Sequence, residues 1–261
     1  MNLKEHLSSV VNAFCQAKRR TIFLDYDGTL APFSLRPADA RPSLDLLQTL
    51  HRLSDNPLQQ VVIISGRDRE SLENWLAHLP LTLVAEHGAY YKTYHREWRV
   101  VESQDAAWKR EVRAVLDGLA AHYPGTHVEE KTLSLVWHFR ALGDRLPAFD
   151  IDKITRMLEV EGSQRGFVVY PGEMAIELRT PGVDKGSFAQ MWLAKHPSDF
   201  VLAVGDGETD EDLFATLSAP HVTVKVGFNN TSKAGYFVRD TDEVLQLLNQ
   251  LANAMRPPLG A

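Results

Sequence analysis

The hexapeptide Asp25-Tyr26-Asp27-Gly28-Thr29-Leu30 follows the apolar run Thr21-Ile22-Phe23-Leu24, which has the pattern of a short buried strand. Because alternate residues of a strand point to the same side, a strand continuing through Asp25 would project Asp25 and Asp27 together. Two carboxylates at such a short distance repel each other, and each shifts the pKa of the other unless a cation lies between them. Gly28 permits a sharp turn, and Thr29 adds a hydroxyl. The pattern is typical of a metal and phosphate site with one carboxylate as nucleophile. The alternative is an Asp-Gly hairpin turn that carries two acids.

Other apolar runs also end in polar residues. The run over residues 61–64 precedes Ser65-Gly66-Arg67, and the run over residues 200–204 precedes Gly205-Asp206-Gly207. Amphipathic helical patterns separate these runs. Continuous apolar runs that alternate with such helices predict an α/β fold, with a parallel sheet covered on both faces.

The middle of the chain has a different pattern. Residues 108–180 read as helix, two strands, helix and two strands, which describes an α+β unit with an antiparallel sheet. We therefore predict a core domain formed by residues 1–107 and 181–261, with residues 108–180 inserted as a second domain. Pro181-Gly182 would be the return linker.

Composition limits the classes of function. The chain has 261 residues and a net charge of −6, which argues against a nucleic-acid partner because such proteins need a clustered basic face. The single cysteine suits a reducing compartment. We see no apolar stretch with the length of a signal-peptide core or a membrane span. These features lead us to expect a cytoplasmic monomer without a membrane or nucleic-acid partner.

The polar residues after the strands are expected to converge. In an open α/β sheet, ligands bind outside the carboxyl ends of the strands, where Asp25, Ser65 and Asp206 would meet. Lys185 begins a predicted helix, where its charge and the free backbone N–H groups both favour an anion. Taken alone, Lys185 could be a solvated lysine and Asp206 a helix cap, but the set favours a phosphate site.

These motifs resemble the four-motif pattern of the haloacid dehalogenase (HAD) superfamily, whose members are mostly phosphotransferases. The matching segments are Asp25 to Thr29, Ser65-Gly66-Arg67, Lys185-Gly186, and Gly205-Asp206 with Asp210. The resemblance implies a Rossmann-like parallel-sheet HAD core with an inserted α+β cap domain between the second and third motifs. It also implies Mg²⁺ as cofactor.

The resemblance implies a role for each motif residue. Asp25 would attack phosphorus and form an aspartyl-phosphate. Mg²⁺ would be bound by Asp25, the backbone carbonyl of Asp27, and Asp206. Ser65 and Lys185 would hold the phosphoryl oxygens, and Asp27 would act as general acid and then as general base.

Further residues of the same motifs are expected near the phosphate. Gly28, Gly66 and Arg67 would lie on the substrate side of the site. Asp210 would either hold a metal-bound water or orient Lys185.

The inserted domain resembles that of trehalose-6-phosphate phosphatases. The shared motifs are a Glu-x-Lys, a His-aromatic-Arg and a Glu-x-Arg in the cap, and a Glu-His-Gly after the third core strand, here residues 129–131, 138–140, 177–179 and 86–88. The resemblance implies that Glu129, Lys131 and Glu177 contact the distal glucose and that Arg140 lies near the phosphate side. Alone, residues 129–131 could be a solvated strand edge.

The resemblance implies Mg²⁺-dependent hydrolysis of trehalose 6-phosphate to trehalose and phosphate, as in trehalose biosynthesis. Three alternatives remain. One is a phosphatase for another sugar phosphate, such as sucrose phosphate or mannosyl phosphoglycerate. The second is a sugar phosphomutase on the same core. The third is a catalytically silent sugar-phosphate sensor, which would lack the nucleophile or the lysine, and here both are present.

Overall fold

The apolar runs of the sequence form the strands of two separate sheets in the computed structural model, which describes residues 1–34, 36–101, 106–172, 174–217 and 219–254. The chain divides into a larger unit, Met1–Val101 with Asp184–Ala261, and a smaller unit, Glu102–Val183. The boundaries between these units lie a few residues outside 108 and 180, the boundaries expected from the sequence. The expected domain boundaries stay predictions.

The strands in chain order are β1 (Arg20–Leu24), β2 (Gln59–Ile64), β3 (Thr82–Ala85), β4 (Tyr90–Lys92), β5 (Arg99–Val100), β6 (His127–Glu130), β7 (Ser134–His138), β8 (Val168–Pro171), β9 (Ala175–Arg179), β10 (Phe200–Gly205), β11 (Val222–Val226) and β12 (Tyr236–Val238). The α-helices are α1 (Leu7–Gln16), α2 (Leu44–Ser54), α3 (Arg69–Leu76), α4 (Trp108–His122), α5 (Ala148–Arg165), α6 (Lys185–Lys195), α7 (Glu208–Thr216) and α8 (Thr241–Ala254). Short 3₁₀ helices occupy Leu3–Glu5, Pro37–Asp39, Glu86–Gly88 and Arg140–Arg145. No helix within the described ranges has the length and apolar character that crossing a bilayer requires.

The sheet of the larger unit has the order β12-β11-β10-β1-β2-β3-β4-β5 among the described residues. The strands from β12 to β3 run parallel, and β4 and β5 add an antiparallel hairpin at one edge. All five residues of β1 are buried, and its apolar run over residues 22–24 is typical of a central strand covered on both faces. The prediction of an α/β fold with a parallel sheet is confirmed.

The strand register brings the candidate motifs to one edge of the larger sheet. Leu24, the last residue of β1, pairs with Val204 of β10 and with Ile63 of β2. The amide of Asp25 then donates to the carbonyl of Val204 at 3.0 Å, and the amide of Ser65 donates to that of Val84, also at 3.0 Å. The segments that follow the strands therefore begin at the same edge, as expected for parallel strands.

Helices α2, α3 and α6 of the larger unit each begin after a residue whose side chain caps the helix. Ser43 and Asp68 accept hydrogen bonds from the amides of Leu46 and Ser71 at the starts of α2 and α3. Asp184 caps α6 by accepting from the amide of Ser187 at 2.7 Å. This last cap sets the position of Lys185, the first residue of α6.

The smaller unit has an antiparallel sheet of order β6-β7-β9-β8, within the part of the chain that the structure describes. One face of the sheet carries apolar residues that pack with α4 and α5 into a separate core, including Trp108, Leu116, Leu135, Trp137, Leu158, Ile176 and Leu178. The element order is the helix, two strands, helix and two strands expected from the sequence.

Candidate active site

A buried lysine lies between two acids at the carboxyl edge of the larger sheet. Lys185 Nζ is 2.7 Å from Asp25 Oδ1 and 2.8 Å from Asp210 Oδ1. The lysine side chain is 1% exposed, and Asp210 is fully buried. Because an uncompensated charge in such a place is very unfavourable, the Lys185 ammonium stabilises each of the two carboxylates, and they stabilise it.

Asp210 also holds the turn that follows β10. Its Oδ2 accepts hydrogen bonds from the amides of Asp206 and Gly207 at 3.1 and 3.0 Å. Asp210 lies in the first turn of α7, so its carboxylate fixes the entry into that helix and the direction of Lys185. Of the two roles expected for Asp210, its ion pair with Lys185 corresponds to orienting the lysine.

Burial and charge change the acidity of this cluster. Burial raises the pKa of Asp25 well above its usual value, and the negative charges of Asp210 and Asp206 add to this effect against the lowering by Lys185. Burial, followed by the charge of Asp210, likewise raises the pKa of Asp206. Burial works to lower the pKa of Lys185, yet its carboxylate partners raise it above the ordinary value, so the lysine is charged.

Carboxylate oxygens of Asp25, Asp206 and Asp210 lie within 4.8 Å of one another and form a group that could hold a metal ion. We call these three residues the acid cluster. Its oxygen donors fit a hard divalent cation, and such a charge would offset the repulsion that raises the pKa values of Asp25 and Asp206. Both oxygens of Asp210 already accept hydrogen bonds, so Asp25 and Asp206 are the better ligands for a metal ion. The expected ligand set, with the backbone carbonyl of Asp27, stays a prediction.

Asp25 and Asp27 have different cationic partners, Lys185 and Arg67. Arg67 Nε donates to Asp27 Oδ2 at 2.7 Å, and Nη2 donates to Oδ1 at 2.6 Å. The Arg67 guanidinium also lies over the rings of Trp75 and Tyr26, at 4.5 and 5.5 Å from the centroids. Since β1 ends at Leu24, the alternation of a strand does not extend through Asp25 to Asp27.

Two glycines allow the motif segments to approach one another. Gly28 has a φ of +74°, and a Cβ built there would lie 2.3 Å from Asp206 Oδ2. A Cβ on Gly66 would lie 2.3 Å from His87 Nε2, in the predicted Glu-His-Gly segment. Next to Gly66, Ser65 is buried, and its Oγ accepts from the amide of Arg67 at 3.2 Å.

The second sheet, in the smaller unit, has a polar face opposite its apolar core. Strand pairing places Glu129, Val136, Glu177 and Tyr170 in one row across the four strands. Lys131 Nζ is 4.0 Å from Glu177 Oε1, which brings together the two expected cap residues. Exposed Arg140 begins the 3₁₀ helix after β7 and lies outside the strands.

Two contacts on this polar face involve residues that the sequence did not single out as sites. His138 Nε2 lies 2.7 Å from Glu129 Oε2. Arg179 donates to Glu177 Oε2 at 2.6 Å and lies over the ring of Tyr170. Arg179 could have been identified from strand alternation, since it is two residues from Glu177 and so shares its face. We call Glu129, Lys131, His138, Glu177 and Arg179 the polar face.

The parallel core with its acid and lysine cluster at the strand ends defines a haloacid dehalogenase-like hydrolase fold. One solved structure with this fold is a haloacid dehalogenase-like hydrolase from Bacteroides thetaiotaomicron, which is 17% identical with a TM-score of 0.65 and covers 90% of this chain and 100% of that chain. The model of the family described as trehalose-phosphatase matches residues 23–242, and the chain belongs to this family. The family predicted from the motifs is therefore confirmed.

More similar proteins support the same assignment. The C-terminal domain of a trehalose-6-phosphate phosphatase from Candida albicans is 31% identical with a TM-score of 0.84, over 95% of this chain and 96% of that chain. A bifunctional trehalose-6-phosphate synthase/phosphatase from Thermoproteus tenax is 37% identical over 245 residues, which are 94% of this chain and 33% of the relative. The chain spans about a third of the length of the curated relatives it matches.

Proposed function

We propose that the chain hydrolyses trehalose 6-phosphate to trehalose and phosphate through an aspartyl-phosphate on Asp25, with Mg²⁺ as cofactor. The observation that carries this proposal is the buried arrangement of Asp25, Lys185 and Asp210 in a member of the trehalose-phosphatase family. A carboxylate fixed beside a charged lysine is suited to attack a phosphoryl group whose oxygens the lysine can bind.

In the first step, a carboxylate oxygen of Asp25 forms a bond to phosphorus while the bond from phosphorus to the sugar oxygen breaks. Asp27 gives its proton to the departing sugar oxygen, so trehalose leaves as a neutral alcohol. Lys185 and the hydroxyl of Ser65 hold the phosphoryl oxygens. When Mg²⁺ is bound by Asp25, Asp206 and the carbonyl of Asp27, it supplies positive charge that offsets the repulsion between carboxylate and phosphate.

In the second step, Asp27 takes a proton from a water molecule, whose oxygen forms a bond to the phosphorus of the aspartyl-phosphate. The bond from phosphorus to the Asp25 oxygen breaks, which releases phosphate and restores both acids to their starting states. Because Asp27 takes from water a proton that replaces the one it gave to the sugar oxygen, the cycle needs no other acid or base.

Arg67 acts through Asp27 in this proposal. Its guanidinium holds both oxygens of that carboxylate, a geometry that fixes the plane of the acid. Arg67 thus orients the proton donor, beyond the substrate contact expected from the motif.

We propose that the polar face of the smaller unit binds sugar hydroxyls. Glu129, Lys131 and Glu177 supply charged donors and acceptors. The ion pair between Lys131 and Glu177 and the contacts with His138 and Arg179 fix their positions. Sites that hydrogen-bond hydroxyl groups discriminate strongly against ligands that lack them, because buried polar groups are then left unpaired. A disaccharide would satisfy more of these groups than a monosaccharide.

Phosphate release from a panel of phosphosugars, with and without Mg²⁺, tests the proposed activity. We expect Mg²⁺-dependent release that is fastest with trehalose 6-phosphate and slower with sucrose phosphate, mannosyl phosphoglycerate and small phosphosugars. Equal rates on all of these would contradict the specificity. Conversion to another phosphosugar with little phosphate release would show a mutase instead.

Asp25→Asn tests the nucleophile. We expect the variant to fold and to lose turnover, because an amide cannot form the aspartyl-phosphate. Asp199→Asn is the matched control, since the carboxylate of exposed Asp199 accepts a hydrogen bond from the amide of Arg19 and is not part of the acid cluster. Turnover that persists in Asp25→Asn at the control's rate would refute the assignment.

We also propose that the protein acts as a cytoplasmic monomer. Its exposed single cysteine, Cys15, suits a reducing compartment. Size-exclusion chromatography with light scattering tests the oligomeric state, and a mass of twice 29.3 kDa would contradict a monomer.

A further inference from the structure

Lys225 is a second buried lysine next to the acid cluster. It lies on β11, whose five residues are all buried, and it pairs in register with Gly205 at the end of β10. A lysine in an apolar parallel strand is unusual, because burying its ammonium is very unfavourable unless polar partners surround it. The contacts of its ammonium therefore indicate what the residue does.

The ammonium of Lys225 binds the turn that carries Asp206. It donates to the backbone carbonyl of Asp206 and, at 3.3 Å, to that of Gly207. Its nearest acid is Glu211 on α7, at 3.7 Å. The Glu211 carboxylate in turn accepts from the amide of Lys233 at 2.7 Å. Lys225 is thus directed at two main-chain oxygens rather than at a carboxylate of the acid cluster.

The main chain of Asp206 and Gly207 is held through both the N–H and the C=O groups of these two residues. Asp210 accepts hydrogen bonds from the amides of Asp206 and Gly207, while Lys225 donates to the carbonyls of the same two residues. With the main chain fixed in this way, the remaining freedom of Asp206 is in its side chain. That side chain belongs to the acid cluster, where a small displacement changes the distances between the carboxylate oxygens that could bind a metal ion.

We propose that Lys225 is a positioning residue that fixes the Asp206 carboxylate for binding of the divalent cation. The inference rests on the proposed function for the cation itself. Lys225 does not touch the substrate in this assignment; it acts through the main chain of the residue that does the binding. Partners that orient a metal ligand in this way typically change metal affinity by about 10–100-fold when removed.

The test is Lys225→Met, which keeps the length and apolar stem of the side chain and removes the donors. Mg²⁺ binding is measured by calorimetry without substrate, and phosphate release from trehalose 6-phosphate is measured as Mg²⁺ is titrated. We expect the Mg²⁺ concentration for half-saturation to rise about 10-fold in both experiments. At saturating Mg²⁺ we expect kcat and the KM for substrate to stay within about threefold of wild type, because those constants report groups that Lys225 does not contact.

Lys225→Arg keeps a cation with donors and is expected to recover most of the Mg²⁺ affinity. Lys92→Met is the control for loss of another lysine on a strand of the same unit, since Lys92 pairs with Glu73 at 2.7 Å. It is expected to bind Mg²⁺ like wild type.

Unchanged Mg²⁺ binding in folded Lys225→Met, or equal weakening in Lys92→Met, would overturn the inference. Should Lys225→Met fail to fold, Lys225→Gln, with a shorter neutral donor, is measured against the same criterion. A wild-type protein without Mg²⁺-dependent phosphate release would instead overturn the proposed function, so the two failures are distinguishable.

Discussion

Asp210→Asn removes one charge from the acid cluster with almost no change in shape. The Asp210 carboxylate pairs with Lys185 at 2.8 Å and accepts from two amides at 3.1 and 3.0 Å. An Asn side chain has only one oxygen. If that oxygen faces the amides, its NH₂ group faces the ammonium of Lys185, and two donors oppose each other in a buried place.

The expected loss follows from these contacts. Removing one partner of a buried ion pair costs about 3–5 kcal/mol. Two effects reduce it: Lys185 keeps Asp25 at 2.7 Å, and the repulsion that raises the pKa values of Asp25 and Asp206 is partly relieved. We therefore expect about 3 kcal/mol, the lower end of that range.

Urea unfolding of the two proteins measures the difference. With a slope of about 3 kcal/mol per molar urea, a loss of about 3 kcal/mol lowers the midpoint by about 1 M. Arg239→Gln is the control. Because the Arg239 side chain is 71% exposed, loss of its ion pair with Glu243 should leave the urea midpoint unchanged. A shift for Asp210→Asn no larger than that of the control would refute the stabilising role of the buried pair.

Two further predictions concern Gly28 and Glu129. Gly28→Ala should lower the thermal unfolding midpoint and weaken Mg²⁺ binding. The φ of +74° at Gly28 disfavours a side chain, and an added Cβ would lie 2.3 Å from Asp206 Oδ2. Both quantities are measured by calorimetry, and wild-type values for both would contradict this prediction. The hydrogen bond from His138, helped by Lys131, lowers the pKa of Glu129, so its stabilising contribution is present above the ordinary glutamate pKa and is lost as pH falls through the lowered value. Glu129→Gln should therefore make the unfolding midpoint of the protein less sensitive to acid, and a pH dependence as steep as that of wild type would count against the pair.

The sequence predicts the strands around the site because each one is buried on both faces. Every residue of β1 and β10 is buried, and each strand contains an unbroken apolar run, over residues 22–24 and 200–204, whose end is clear in the sequence. Parallel pairing then brings Asp25, Ser65 and Asp206 to one edge without knowledge of any side-chain contact. These positions depend only on strand length and register.

The partners of the side chains could not be predicted in the same way. Arg67 reaches Asp27 because the chain turns after Leu24, and the path of that turn is not set by a periodic pattern. Lys225 belongs to none of the sequence motifs, and only the structure shows that it is buried on β11, with β12 paired beside that strand. Its proposed role depends on a contact with the main-chain carbonyl of Asp206, and a motif of side chains does not predict main-chain contacts.

The buried acids of the site oppose the stability of the fold that carries them. Asp25 and Asp206 have raised pKa values because burial and mutual repulsion disfavour their charged forms, and Lys185 offsets only part of this. A fold selected for stability alone would replace such a cluster with apolar residues, since a well-packed apolar core is often at least as stable as buried charges. The same unfavourable charge makes the site attractive to a divalent cation. The main chain of Asp206 is fixed by Asp210 and Lys225, so the Asp206 carboxylate is held beside Asp25 at the place where we propose that the cation binds.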